Sequence, residues 1–280
     1  MNDSSFIRYL SAKKTVDDRA LNRRVWDAMT ARVAGRSPRV LELGGGIGTM
    51  VERAAADPVL RPRSWTLVDG QAPLIQEARR RLAGLREFSV ELLCSDVEDF
   101  IARGIEPFDL VIANAFLDLF DPARILPKLL KLARPSGCFL FSITFDGLTA
   151  LEPDVDPELD HRIIDLYHRT MDERIVGGRI SGDSRCGRHL LTLLPLTGYE
   201  IVEAGASDWI VHPRGGGYPA DERYFLSCIL AFFEESLSAR AETDRGELGR
   251  WLETRQAQLA AGKLVLISHQ LDVCAAPVRG

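Results

Sequence analysis

Apolar positions along the chain follow two periods. Runs in which most positions are apolar predict seven strands, over residues 40–43, 64–68, 88–94, 108–113, 137–144, 199–204 and 263–275. Stripes of helical spacing fill the intervals. Leu21, Val25, Met29 and Val33 mark one helix within 16–35, with Asp17 as its cap, and others are predicted over 71–85, 122–133, 157–174, 185–196, 220–238 and 243–261. Gly198 ends the helix before it. Strict alternation from 40 to 144 predicts an α/β fold, with a mainly parallel sheet and helices on both faces. Right-handed crossovers then gather the carboxyl ends of the strands on one edge, where a ligand belongs.

The helical segments outside that alternation set the organisation. Residues 36–145, 183–210 and 263–275 read as the sheet core, and 1–35, 146–182 and 211–262 as helical cap or lid elements of one domain spanning 1–280. Both later insertions leave the sheet at its ligand edge. They include the glycine-rich loop 213–219 and, with residues 6–14, are the candidate substrate enclosure.

The first strand ends in Leu41-Glu42-Leu43 and runs straight into Gly44-Gly45-Gly46-Ile47-Gly48. Glycine permits positive φ and lets a ligand approach the backbone, so side chains at Gly44, Gly46 or Gly48 are expected to fill cofactor space. A dinucleotide fingerprint needs its third glycine where Thr49 stands. The second strand ends in Asp69-Gly70, the third leads into Ser95-Asp96-Val97, and the fourth runs into Asn114-Ala115-Phe116-Leu117-Asp118. A dehydrogenase also has an acid after its second strand, so Asp69 alone does not discriminate, but the glycine register with Asp96 and the Asn114 segment does.

These motifs, in this order, resemble those of the class I S-adenosylmethionine-dependent methyltransferases, whose fold is Rossmann-like with a seven-stranded, mainly parallel sheet. The resemblance implies S-adenosyl-L-methionine as cofactor. It assigns Asp69 to the ribose hydroxyls, where a carboxylate offers acceptors to two donors, and Asp96 to the adenine amine. The implied cofactor set is Glu42, Gly44, Gly45, Gly46, Gly48, Asp69, Gly70, Asp96, Val97, Asn114 and Ala115.

Composition narrows the partners. A net charge of -5 argues against a surface devoted to nucleic acid, and no apolar run reaches the length of a membrane span. The polar start is no secretory signal, so a cytoplasmic protein acting on a small molecule is expected, with a homodimer left open. Five cysteines without paired spacing fit no disulfide framework. They read as buried thiols; Cys186 is the exception, either a thiol whose pKa the flanking Arg185 and Arg188 lower or a plain helix residue.

Catalytic residues are less legible, because methyl transfer from a sulfonium needs positioning first and a base only for a protonated acceptor. His161, Asp165, His168 and Asp172 share one helical face, so His161 or His168 is a candidate base, or the face is merely solvated. A metal on that face is the weakest reading, and no metal site is expected. His212, at the exit of the sixth strand, is a third candidate. Tyr9, Tyr167, Tyr218 and Tyr224 fall in cap segments and suit a sulfonium or a small substrate, while Lys14 and Arg19 are candidates for the cofactor carboxylate. Methyl transfer to O, N, S or C of a small molecule is the function expected. The alternatives are other chemistry on the same cofactor (cyclisation, decarboxylation, carboxyl transfer) or a noncatalytic interaction module.

Overall fold

The computed structural model describes residues 1–278. Two helices, α1 (Asp3–Ala20) and α2 (Arg23–Val33), precede the first strand. The alternating region holds β1 (Arg39–Leu43), α3 (Thr49–Ala56), β2 (Ser64–Asp69), α4 (Ala72–Arg81), β3 (Ser89–Cys94), α5 (Val97–Ala102), β4 (Phe108–Asn114), α6 (Pro122–Leu129) and β5 (Ala133–Glu152). There follow α7 (Pro157–Asp172), the hairpin β6 (Ile175–Val176) and β7 (Arg179–Ile180), α8 (Cys186–Leu196), β8 (Tyr199–Ala206), β9 (Trp209–Val211), α9 (Glu222–Leu237), α10 (Arg245–Ala260) and β10 (Val265–Pro277).

The main sheet has the order β3-β2-β1-β4-β5-β10-β8, with β9 added beside β10. Strands β1 to β5 pair in parallel, and β10 runs antiparallel between β5 and β8. This is a mixed, Rossmann-like sheet with helices on both faces, as the sequence predicts. The order reverses at β1 and β4, which places a crevice at their carboxyl ends. One face of the sheet is packed by α5, α6 and α8 and the other by α2, α3 and α4, each over a continuous apolar core. The strands are buried on both sides, which is why they read as apolar runs rather than alternating patterns.

A third core lies beyond the sheet edge. Residues of α1, α7, α9 and α10 pack with Leu151, Val211, Leu264 and Leu266, forming a helical cap. Trp251 is fully buried there and donates its indole N–H to Asp160, which also pairs with the buried Arg255. No helix among the described residues is long and apolar enough to cross a membrane.

Three expectations need correction. The stripe from 16 to 35 is not one helix: Leu21 leaves helical geometry, and the Asn22 side chain caps α2 by accepting from the N–H groups of Arg24 and Val25. Asp17 lies inside α1 and accepts from Lys13 and from the Trp209 indole. The fifth strand does not stop at 144 but continues to Glu152, because β10 stays paired with it along that length.

Candidate functional site

The turn after β1 sits at the switch point of the sheet. Gly44, Gly46 and Gly48 take φ of +64°, +53° and +83°. The reason for glycine differs along the turn. A Cβ at Gly44 would collide with the Phe116 ring, one at Gly45 with Leu67, and one at Gly48 with Leu82, so neighbouring side chains, and not only an incoming ligand, require glycine there. Gly46 is freer, with only Leu10 Cδ1 at 3.4 Å.

Asp69 fastens this turn. Its Oδ2 accepts the Gly46 N–H at 2.9 Å and its Oδ1 accepts the Gln71 N–H at 2.9 Å, so it links the glycine turn to the start of α4. Each oxygen retains acceptor capacity, and burial pushes the carboxyl pKa up. Glu42, at the end of β1, takes the Trp65 indole N–H at 2.9 Å. Burial raises its pKa to about 8, so at neutral pH it faces the site as a carboxylic acid.

Across the crevice, Asn114 Oδ1 accepts from Ser142 Oγ at 2.9 Å, and the Ala115 N–H binds the Ser142 carbonyl at 2.8 Å. Ala115 and Ile143 both have positive φ, +48° and +53°. For a β-branched residue such as Ile143 this is a strained conformation that its surroundings must enforce. Asp272 does so, accepting the Ile143 N–H at 2.7 Å and, from the other oxygen, the Asn22 N–H at 2.7 Å.

These groups border a cavity of ≈ 470 Å³ between the sheet edge and the cap. Glu42, Gly44, Gly45, Gly46, Asn114 and Ala115 are on its wall, as are Ile143 and Thr149. The cap contributes Phe6, Tyr9, Tyr167, Trp209, Phe232 and Phe233 among others. Asp69 is one hydrogen bond removed, through Gly46, whereas Gly48, Gly70, Asp96 and Val97 lie off the wall. Asp96 is exposed and caps α5, its Oδ1 accepting from Glu98 and Asp99 while Oδ2 stays unused. Val97 is buried in the core beneath it.

The histidine candidates are not gathered at the cavity. His168 turns toward Thr149, with Nε2 3.0 Å from Oγ1, and meets the Phe145 ring edge-on; burial lowers its pKa. Its neighbours line the cavity but its own side chain does not. His161 and Asp165 are exposed, and Asp172 accepts from the N–H and hydroxyl of Ser184, so the face splits between solvent and a structural contact. His212 is held by the Pro213 carbonyl at 3.0 Å, away from the wall. Among the described residues no group of three or more His, Cys, Asp or Glu is placed to hold a metal.

Of the four tyrosines only Tyr9 and Tyr167 reach the cavity; Tyr218 and Tyr224 bond to the carbonyls of Leu264 and Ser5. Lys14 pairs with Asp18 and Arg19 with Glu222, and the cations on the cavity wall are instead Lys13 and Arg174. Cys94 is exposed rather than buried, and burial drives the Cys186 thiol pKa up, the reverse of what its arginine neighbours suggested. Lys13, Asp17, Asp118 and Arg174 are also on the wall, and none of them is singled out by the sequence as a site residue. Asp118 did carry a signal, as the one acid in the otherwise apolar stretch from Phe116 to Phe120.

Residues 41–139 match the family described as "Methyltransferase domain". Over that stretch, about a third of its length, the chain is similar to a methyltransferase domain, in line with the S-adenosylmethionine-dependent class that its motifs resemble. A curated relative, the carboxy-S-adenosyl-L-methionine synthase of Aeromonas hydrophila, is 30% identical over 146 residues, 50% of this chain and 57% of that protein; the chain therefore matches little more than half the length of that relative. Among solved structures, a candidate methyltransferase from Bacillus halodurans C-125 superposes with a TM-score of 0.52 at 12% identity, covering 91% of this chain and 98% of that one. The S-adenosyl-L-homocysteine complex of a methyltransferase from Thiobacillus denitrificans gives a TM-score of 0.46 at 15% identity, covering 90% and 92%.

Proposed function

We propose that the protein transfers the methyl group of S-adenosylmethionine to a small organic acceptor enclosed between the sheet edge and the helical cap. The observation that carries this reading is the continuity of the cavity: Gly44 to Gly46 and Asn114-Ala115 share one space with the aromatic residues of α1, α7 and α9. The cofactor fits the residues present. Asp69 has spare lone pairs beside the open Gly46, and Asp96 keeps an unused oxygen one strand further along. When bound, S-adenosylmethionine supplies a methyl group already activated by its sulfonium. Asp69 would then hold the ribose hydroxyls and Asp96 the adenine amine. Phe6, Tyr9, Tyr167 and Phe233 would exclude water and hold the acceptor near attack distance, the kind of positioning worth about 7 to 11 kcal/mol in favourable models.

Calorimetry with S-adenosylhomocysteine tests the site. Asp69→Ala should weaken binding by about 1 to 3 kcal/mol, since it leaves the ribose donors unpaired; unchanged affinity would put the cofactor elsewhere. The 30% identity to carboxy-S-adenosyl-L-methionine synthase favours a second reading, in which the cofactor is itself carboxylated. Mass spectrometry of the turnover mixture separates the two. An acceptor heavier by CH2 together with S-adenosylhomocysteine supports methyl transfer, and a cofactor heavier by CO2 supports the second.

A further inference from the structure

We infer that Asp118 selects the acceptor, and that the acceptor is an apolar, ring-sized molecule presenting an N–H or O–H to this carboxylate. The inference rests on the cavity being the acceptor site. Asp118 lies in a short 3-10 turn, Leu117–Leu119, just after Asn114-Ala115, and faces the same cavity. Asp118 as a whole is half-buried on the cavity wall, and its inner oxygen, Oδ1, accepts no hydrogen bond. The cations whose field reaches it do not pair with it: Lys13 is bound to Asp17 at 2.5 Å, and Arg174 is exposed at the cavity wall. Asp183, the acid that its field also meets, is held by His189 at 2.6 Å.

An acid in this setting is costly to the fold unless a donor arrives, since a desolvated acceptor without a partner forfeits the hydrogen bonds that water gave it. The turn that carries it is fixed in advance. Its Asp118 carbonyl accepts the Asp183 N–H at 3.0 Å, and the Leu119 carbonyl accepts Ser181 Oγ at 2.8 Å. A preset acceptor is what lets a site reject analogues that lack the donor. Burial also raises the Asp118 pKa to about 6, which leaves it mostly ionised at neutral pH but readily protonated. The phenols of Tyr9 and Tyr167 both feel its charge, so three polar groups share a wall that also carries the rings of Phe6, Phe232 and Phe233. Rings around a carboxylate suit an ammonium, and a hydroxyl would use the same acceptor.

If the acceptor's proton is the one lost in the reaction, the bond changes balance on these groups alone. The acceptor N or O forms its bond to the methyl carbon, the carbon–sulfur bond breaks with its electron pair passing to sulfur, and the acceptor proton moves to the Asp118 carboxylate.

The test uses the whole protein saturated with S-adenosylhomocysteine and three matched probes: 3-phenylpropylamine, 3-phenylpropan-1-ol and 3-phenylpropyl methyl ether, which has no donor. Calorimetry on the wild type should show the amine or the alcohol binding at least about tenfold tighter than the ether. The amine and alcohol arms tell a charged donor from a neutral one. Asp118→Leu, which keeps the branching at Cγ and removes the acceptor, should abolish the preference. Asp118→Asn should lower it for the amine more than for the alcohol. Equal or absent binding of the three probes to the wild type overturns the inference, as does a preference that survives in Asp118→Leu. Loss of S-adenosylhomocysteine affinity in both variants also overturns it, by assigning Asp118 to the cofactor. A wild type that fails to bind S-adenosylhomocysteine at all defeats the methyltransferase reading itself, a separate outcome.

Discussion

Glu42 enters the crevice with a proton that water would have removed. Burial lifts its carboxyl from 4.5 to about 8. Between those values the folded chain holds a proton that the unfolded chain has released, so unfolding free energy falls as pH rises across that window, by at most about 1.4 kcal/mol per pH unit. This contribution is complete below the unfolded value and is lost as pH passes the folded one. Glu42→Gln keeps an acceptor for the Trp65 indole and cannot titrate. Thermal denaturation from pH 5 to 9 should therefore show a shallower decline in the variant; parallel curves would mean that Glu42 is ionised throughout. Gly45 gives a steric counterpart, because its missing Cβ is where Leu67 of β2 packs. Gly45→Ala should cost about 1 to 3 kcal/mol through overpacking, read as a lower melting temperature even without cofactor.

Single carboxylates also join elements. Asp272 on β10 ties Ile143 of β5 to Asn22 at the head of α2, and is itself buried, with a pKa raised to about 6. Asp272→Asn must turn an amide donor toward one of those N–H groups, and should lose about 1 to 3 kcal/mol of stability; denaturant titration with no change in midpoint would show that Ile143 holds its geometry unaided. At this scale the limits of the sequence become physical. The glycine turn and Asp69 were legible because their chemistry is local, a strand end and a tight turn. The break at Leu21-Asn22 was not, since Leu21, Val25, Met29 and Val33 keep a four-residue stripe straight through it. Nor was the extension of β5, because Asp146-Gly147 reads as a loop until β10, 120 residues on, supplies the partner strand. The three-residue β9 and the two-residue strands β6 and β7 are too short to carry a period at all. The histidines misled for a related reason: spacing on α7 fixes which residues share a face, but only packing against Thr149 and Phe145 decides where that face points.

The molecule as a whole joins two bodies of packing, the sheet with its helices and the cap with its own core, and the cavity lies where they meet. The cap is anchored by the buried Arg255 and Asp160. Arg255→Ala leaves that carboxylate uncompensated and should cost about 3 to 5 kcal/mol. Hydrogen exchange should then quicken in α7, α9 and α10 before it does in β1 and β4; uniform quickening would mean that cap and sheet unfold as one unit. Helix α1 has a further consequence for how the chain is made. It packs on α9 and β9, and its Asp17 awaits the Trp209 indole, so the contacts that seat it join residues some 192 positions apart. At about 5 to 20 residues per second, the ribosome delivers those partners roughly 10 to 40 s after α1 has emerged. During synthesis the glycine turn can form against β2 and β4 while the wall that α1 builds over it is still missing, so a nascent chain would expose Phe6, Tyr9 and Val16 and be open to chaperones until α9 arrives.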